Sequence, residues 1–305
     1  MPSSFLNHRW ALVLIGFSLL IAPLHGQSDS EVNLKGAIDF HSHQGPDIAE
    51  TAIDADDMAR LAKKMGMRGA VMKNHYEDTA ALAYILRKEL PGVELFGGIT
   101  QDGRVNLDDV KHMVAMKGGW GRIVWLTTSE AARAADPKKT GQFVRVSDNG
   151  HLLPSVLELI DFIAQHHTVV LETDSILPEE VDLVVHEAHE RGVQHIVVEH
   201  EMSDHFRLTT TQMQTAAKDG AFIMFLYSQM LGANQAEILS AYAAAIRAIG
   251  PKSCILGTDS TAKQPLLAPQ ALLDFMMALH KAGISVADIN LMAKTNPALL
   301  LGLQR

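Results

Sequence analysis

Three side chains at alternate positions carry the first chemical signal in this sequence. Asp39, His41 and His43 lie in IDFHSHQGPD, residues 38–47, directly after apolar residues that read as a buried strand. Residues i and i+2 of a strand share a face, so His41 and His43 are expected to point the same way. Neutral imidazole is a preferred ligand of borderline divalent ions, and a carboxylate completes sites that keep a position for water. His200 and Asp259, each near the end of a later apolar run, extend the set to three nitrogens and one oxygen. A bound ion can lower the pKa of its water to about 7. Asp259 could then accept the water's proton and hand it to a leaving group. Asp39 reads either as a carboxylate fixing a histidine tautomer from beneath or as a structural residue.

Further polar residues end other apolar runs. Lys73 and His75 close GAVMKNH, and Glu172, Asp174 and Ser175 close TVVLETDS. His75, Glu172 and Asp174 are candidates for a second ion or for substrate contacts. Lys73 and His200 are candidates to hold or polarise the electrophile. Trp125 and Tyr227 are candidates for the wall of a substrate pocket.

These residues need a scaffold that brings distant strand ends together. Eight apolar runs end at AIDFHSH, GAVMKNH, VELFGGIT, GRIVWLTT, TVVLETDS, HIVVEHE, AFIMFLYS and SCILGTDS, with helix-period segments between them. One is DADDMARLAKKMG, with Asp54 as N-cap and Met58, Leu61, Ala62 and Met65 at helical spacing. Eight such units predict a single-domain α/β fold, a (β/α)8 TIM barrel, a fold that typically takes about 250 residues. Catalysis in that fold sits at the C-terminal ends of the strands, where the candidates fall. A doubly wound sheet is the rival, but the first strand-to-helix turn has no phosphate-cradling glycine pattern. FVRVSDNGHLLP, residues 143–154, reads as a small hairpin inserted between strands four and five.

IDFHSHQGPD, VMKNH, IVWLTT, DNGHLLP, the eighth-strand GTDS and the closing NPALLLGL together resemble the amidohydrolase superfamily of metal-dependent barrel hydrolases, and within it a poorly characterised amidohydrolase-related subfamily. The resemblance runs over residues 34–303. It implies His41, His43, His200 and Asp259 as metal ligands and hydrolysis of an amide, ester or lactone. The sequence departs from that pattern twice. Where many members carry a strand-five histidine, this chain has LETDSILPEE, so either Glu172 and Asp174 face inward or Ser175 does. Where two-metal members carry a carboxylated lysine on strand four, this chain has Trp125, Leu126, Thr127 and Thr128; its lysine, Lys73, is on strand two.

Two other functions stay open at this point: a barrel that binds a small ligand without turnover, and a metal-dependent phosphoesterase. The cofactor expected is a divalent ion, Zn2+ first, with Mn2+, Fe2+ or Co2+ compatible, in one or two copies. His186-Glu187-Ala188-His189 is one residue short of a zincin motif and reads as a helix flank.

Residues 1–26 differ in kind. Arg9 precedes an apolar run and small polar residues follow, the pattern of a signal peptide cut near Gly26. The barrel domain is then 27–305, and the expected location is periplasmic or secreted, with no stable membrane insertion after cleavage. That stretch holds 25 basic against 35 acidic residues, a net charge near −10, which argues against nucleic acid as a partner and for a small-molecule substrate. Cys254 is the sole cysteine, so ligands must come from His and carboxylates.

Overall fold

The alternation of apolar runs with amphipathic segments forms eight parallel strands, each followed by a helix. The computed structural model describes residues 1, 31–101, 105–126, 146–200, 202, 207–262 and 264–304, with the backbone alone for His200. The expected leader and its cut site lie outside the described residues, as do Thr127, Thr128 and 143–145. Glu31–Arg305 forms one unit.

The strands are β1 (Ile38–His43), β2 (Gly69–Lys73), β3 (Glu94–Gln101), β4 (Gly121–Leu126), β5 (Val170–Thr173), β6 (Ile196–His200), β7 (Ala221–Leu226) and β8 (Cys254–Gly257). They pair in chain order, whereas a doubly wound sheet would reverse direction. The chain just past β8 meets β1. Thr258 and Asp259 both donate backbone N–H groups to the His41 carbonyl, at 3.1 and 2.8 Å, and His43 donates to Ser260 at 3.3 Å. The sheet is thus a (β/α)8 barrel. Helices α1 (Ala55–Lys64), α2 (Ala80–Glu89), α3 (Leu107–Ala115), α4 (Pro154–Ala164), α5 (Pro178–Glu190), α6 (Thr210–Lys218), α7 (Gln235–Ile249) and α8 (Ala268–Lys281) follow the strands. Before α4, Ser147–Asp148 pairs antiparallel with His151–Leu152.

Local chemistry explains the helix ends. Asp54 occupies the N-cap of α1, Asp56 and Asp57 sit in its first turn and Lys63 and Lys64 in its last, each sign complementing the helix dipole. In α6, Thr209 and Gln212 form a reciprocal capping box. No helix among the described residues is long and apolar enough to cross a membrane.

Two apolar layers hold the fold. One joins the helices to the outer faces of the strands. The other fills the barrel with Ile38, Phe40, Val71, Phe96, Ile123, Trp125, Val170, Val197, Met224, Leu226 and Ile255. Each such side chain contributes roughly 1.5–3 kcal/mol when fully buried. The inner layer also fixes which residues of each strand face inward. Stepping by two from it reaches Lys73, Thr100, Glu172, Asp174, Glu199 and Asp259, the residues that ring the top of the barrel. The lower end is closed by α9 (Val286–Asn290), a π turn (Leu291–Thr295) and α10 (Asn296–Leu300), with Ala298, Leu300 and Leu301 joining the inner layer.

Candidate metal centre

β1 presents two imidazoles at the mouth because its register slips. Its pairing with β2 shifts between Asp39 and Ser42, so Phe40 packs in the inner layer while His41 and His43 line the cavity above it. Bulges re-aim side chains in this way. Gly257 clears space for the first ring: a Cβ there would lie 3.0 Å from His41 Cβ and 3.1 Å from Met224 Sδ. Just beyond, Asp259 takes φ 46°, a left-handed conformation uncommon for a residue with a side chain and characteristic of functional sites. Its N–H is held by His41, and Gln264 donates to its carbonyl at 2.5 Å.

Asp259 Oδ1 lies 3.4 Å from His43 Nε2 and 3.8 Å from His41 Nε2. Ser228 donates to the other oxygen, Oδ2, at 2.7 Å. On the opposite edge of the His41 ring, Nδ1 is 3.1 Å from Glu172 Oε1 and 3.2 Å from Glu199 Oε2. A ring that donates Nδ1–H to a carboxylate keeps its Nε2 lone pair for another partner. That Nε2 is buried and has no hydrogen-bond partner among the described residues. His41, His43 and Asp259 offer ligand atoms within 4.8 Å of one another. One orphaned nitrogen, a second imidazole and a carboxylate fit a divalent ion.

The electrostatics agree. Burial, with Lys73 nearby, holds the His41 pKa below the ordinary histidine value, which favours the neutral ring a ligand must be. Burial works against the Asp259 carboxylate, but the His43 and His41 rings and the Ser228 hydroxyl outweigh it and keep its pKa low. Burial raises Glu172 more than His41 lowers it, a cost that positive charge at the cluster relieves. For His43, burial is outweighed by Asp259 and Asp47, which raise its pKa.

The other expected residues divide into those at the site and those outside it. Glu172 and Asp174 both face inward, Glu172 against His41 and Asp174 on the cavity wall, and Ser175 lines the cavity as well. Asp174 forms an ion pair with Lys73, whose ammonium lies 5.5 Å from the Trp125 ring. Burial opposes the Lys73 charge, but Asp174, Glu199 and Glu172 hold its pKa above the ordinary lysine range. His75 lines the same cavity of about 260 Å³. Trp125 is buried in the inner layer beneath the cavity. Tyr227 falls on the outward parity of β7, and its hydroxyl donates to Asp274 on α8 at 3.0 Å; neither aromatic lines the cavity. Asp39 commits both oxygens to Thr258 and the His41 backbone, so it ties β1 to β8, and burial pushes its pKa up to about 7 against those hydrogen bonds. The role of fixing the His41 ring belongs to Glu172. The His200 side chain lies outside the described residues; the β6 side chain that reaches His41 is Glu199.

Glu199, Asp47, Ser228 and Gln229 were not among the expected residues. Glu199 shares its face with Val197, a signal that strand parity carries. Asp47 stands four residues after His43 in the turn that follows β1, at a spacing no simple periodicity marks.

The barrel fold is shared with solved amidohydrolase structures. A protein provisionally assigned as a 2-pyrone-4,6-dicarboxylic acid hydrolase, from Pseudomonas putida, superposes with a TM-score of 0.64 at 15% identity, covering 90% of this chain and 99% of its own. An amidohydrolase from Burkholderia multivorans with bound zinc gives 0.60 at 12% identity, over 88% and 99%. The phosphotriesterase homology protein of Escherichia coli, with phosphate in its active site, gives 0.55 at 16%, over 88% and 99%. At such identities the likeness is one of fold. No curated protein matches the sequence. The chain belongs to a family of unknown function (DUF6282), whose model matches residues 36–224, a span that takes in His41, His43, Glu172 and Glu199 and stops short of Asp259.

Proposed function

We propose that this protein is a metal-dependent hydrolase that uses water to open a C–O or C–N bond in a small ester, lactone or amide. The observation that carries the reading is the buried Nε2 of His41, without a hydrogen-bond partner, beside His43 and Asp259, while its opposite edge faces Glu172. His41, His43 and Asp259 would hold a divalent ion, with zinc the first expectation for this donor set. Such an ion supplies Lewis acidity, acidifying water and polarising an acyl oxygen.

The chain's own residues do the rest. Glu172 accepts from His41 Nδ1 and so keeps Nε2 available. Ser228 holds Asp259 Oδ2, leaving Oδ1 on the imidazole side. Asp259, kept ionised, takes the proton of the attacking water and returns it to the leaving oxygen or nitrogen. Lys73 keeps donors beyond its bond to Asp174, since an ammonium has three, and these can stabilise negative charge developing on the substrate. Among the described residues the cavity measures about 260 Å³, a size that suits a small substrate. The proposal places the enzyme outside the cytoplasm, on the sequence of residues 1–26.

The test is a panel of esters, lactones and amides presented to zinc-loaded and to chelator-treated protein. Hydrolysis that disappears with chelation and returns with zinc supports the reading. Turnover that chelation leaves unchanged contradicts it.

A further inference from the structure

His43 has a second edge. Its Nε2 faces Asp259, but its Nδ1 points the other way, is buried, and has no hydrogen-bond partner among the described residues. Beyond it lies Asp47 Oδ2, 3.8 Å away, too far for a hydrogen bond. The same oxygen is 2.6 Å from His75 Nδ1. The His43 and His75 rings stand 4.6 Å apart, tilted by 32°. Three ligand atoms from His43, Asp47 and His75 therefore lie within 4.8 Å of one another.

The geometry points to a second divalent-cation site at Asp47, His75 and His43 Nδ1. Asp47 is suited to the apex. Its side chain is buried, its Oδ1 accepts from the Ile48 N–H at 2.6 Å, and its Oδ2 faces the two rings while also accepting from the His75 backbone N–H at 3.3 Å. The turns that carry the ligands are braced against each other: Asn74 donates to the Pro46 carbonyl at 2.7 Å and accepts from the Tyr76 and Glu77 amides at 3.0 Å. Thr100 on β3 in turn donates to the Asn74 carbonyl at 2.8 Å. The His75 side chain is 42% exposed, so the site opens to solvent through the cavity. Both imidazoles, a carboxylate and an open side match a zinc or manganese site with room for exchangeable ligands.

The two sites share only His43, one ring nitrogen each. With ions on both edges that ring is an imidazolate, and its N–H proton leaves to solvent. Glu172 and Asp174 are not part of this second site: the first faces His41 and the second pairs with Lys73. The inference stands whether or not the first centre catalyses hydrolysis.

The test is zinc per chain, by elemental analysis of the full chain dialysed against zinc and then against buffer. The variants are His75→Ala, Asp47→Asn and Asp259→Asn, with metal-free thermal melts to confirm folding. The expected result is two ions in the wild type, one in His75→Ala, one in Asp47→Asn and one in Asp259→Asn. Equal counts in the wild type and both His75→Ala and Asp47→Asn overturn the second site and leave the first standing if Asp259→Asn lowers the count. A single wild-type ion lost in His75→Ala and kept in Asp259→Asn upholds the second site and overturns the first. A single ion lost in every variant overturns the second site as a separate one. No ion in any protein overturns both.

Discussion

The two ends of this barrel are built from similar materials put to opposite uses. At the lower end, cations are shielded and occupied. Arg87 lies over the Trp120 ring at 3.7 Å and over Phe96 at 5.1 Å, and Arg122 faces Phe96 at 5.1 Å. Arg122 also donates to the carbonyls of Gly119 and Leu301, and Arg68 donates to Gln304 at 2.7 Å. These contacts fasten the C-terminal segment across the barrel floor. At the mouth, imidazoles and carboxylates converge, and His41 Nε2, His43 Nδ1 and Glu172 Oε2 are buried without hydrogen bonds among the described residues. A buried polar atom left unpaired costs roughly 1–3 kcal/mol. The floor engages its arginines with rings and carbonyls, while the mouth gathers buried imidazole and carboxylate atoms without hydrogen bonds among the described residues, an arrangement suited to a ligand. On the proposed function, the floor contributes stability and the mouth contributes chemistry.

Substitutions at the two ends should therefore separate activity from stability. Asp259→Asn removes both the proposed proton carrier and an ion ligand and is expected to lower kcat/KM by at least about 10²–10⁴-fold on the best substrate of the panel. The comparison breaks if that variant turns over normally. Phe96→Ala opens a void on the floor and is expected to cost about 3–5 kcal/mol in urea unfolding, with the zinc count unchanged. A lost ion in Phe96→Ala would show that floor and mouth are not independent. Glu172→Gln touches the mouth without removing an ion ligand. It should weaken zinc binding by about 10–100-fold in chelator competition, whereas wild-type affinity would deny Glu172 its role in orienting His41. The smallest change is Tyr227→Phe. Loss of the bond to Asp274 should cost about 1.5 kcal/mol of stability and leave kcat/KM where it was; a large drop in kcat/KM would return Tyr227 to the substrate pocket.

The barrel was legible because eight apolar runs separated by amphipathic segments leave few alternatives. His41, His43, Lys73 and Asp259 stood out because polar residues at the ends of otherwise apolar strands need a reason to be there. The inward set was harder to read. Strands buried on both faces lack the polar–apolar alternation that reveals parity, so Tyr227 could be placed on the wrong side and Glu199 passed over beside His200. The β1 bulge adds a second difficulty: it changes parity between Phe40 and His41, and the side-chain types of a strand carry no mark of a register slip. Asp47 was hidden for a different reason. Its partner His75 is 28 positions away, on a turn that only the pairing of β1 with β2 brings close.

The most direct test of the account is the metal content of the purified protein beside that of a His41→Ala, His43→Ala double variant. The account predicts stoichiometric divalent metal in the wild type after incubation with zinc, and none in the double variant with its fold intact. Wild-type protein that takes up neither zinc nor manganese, or a double variant that retains its metal, would contradict it.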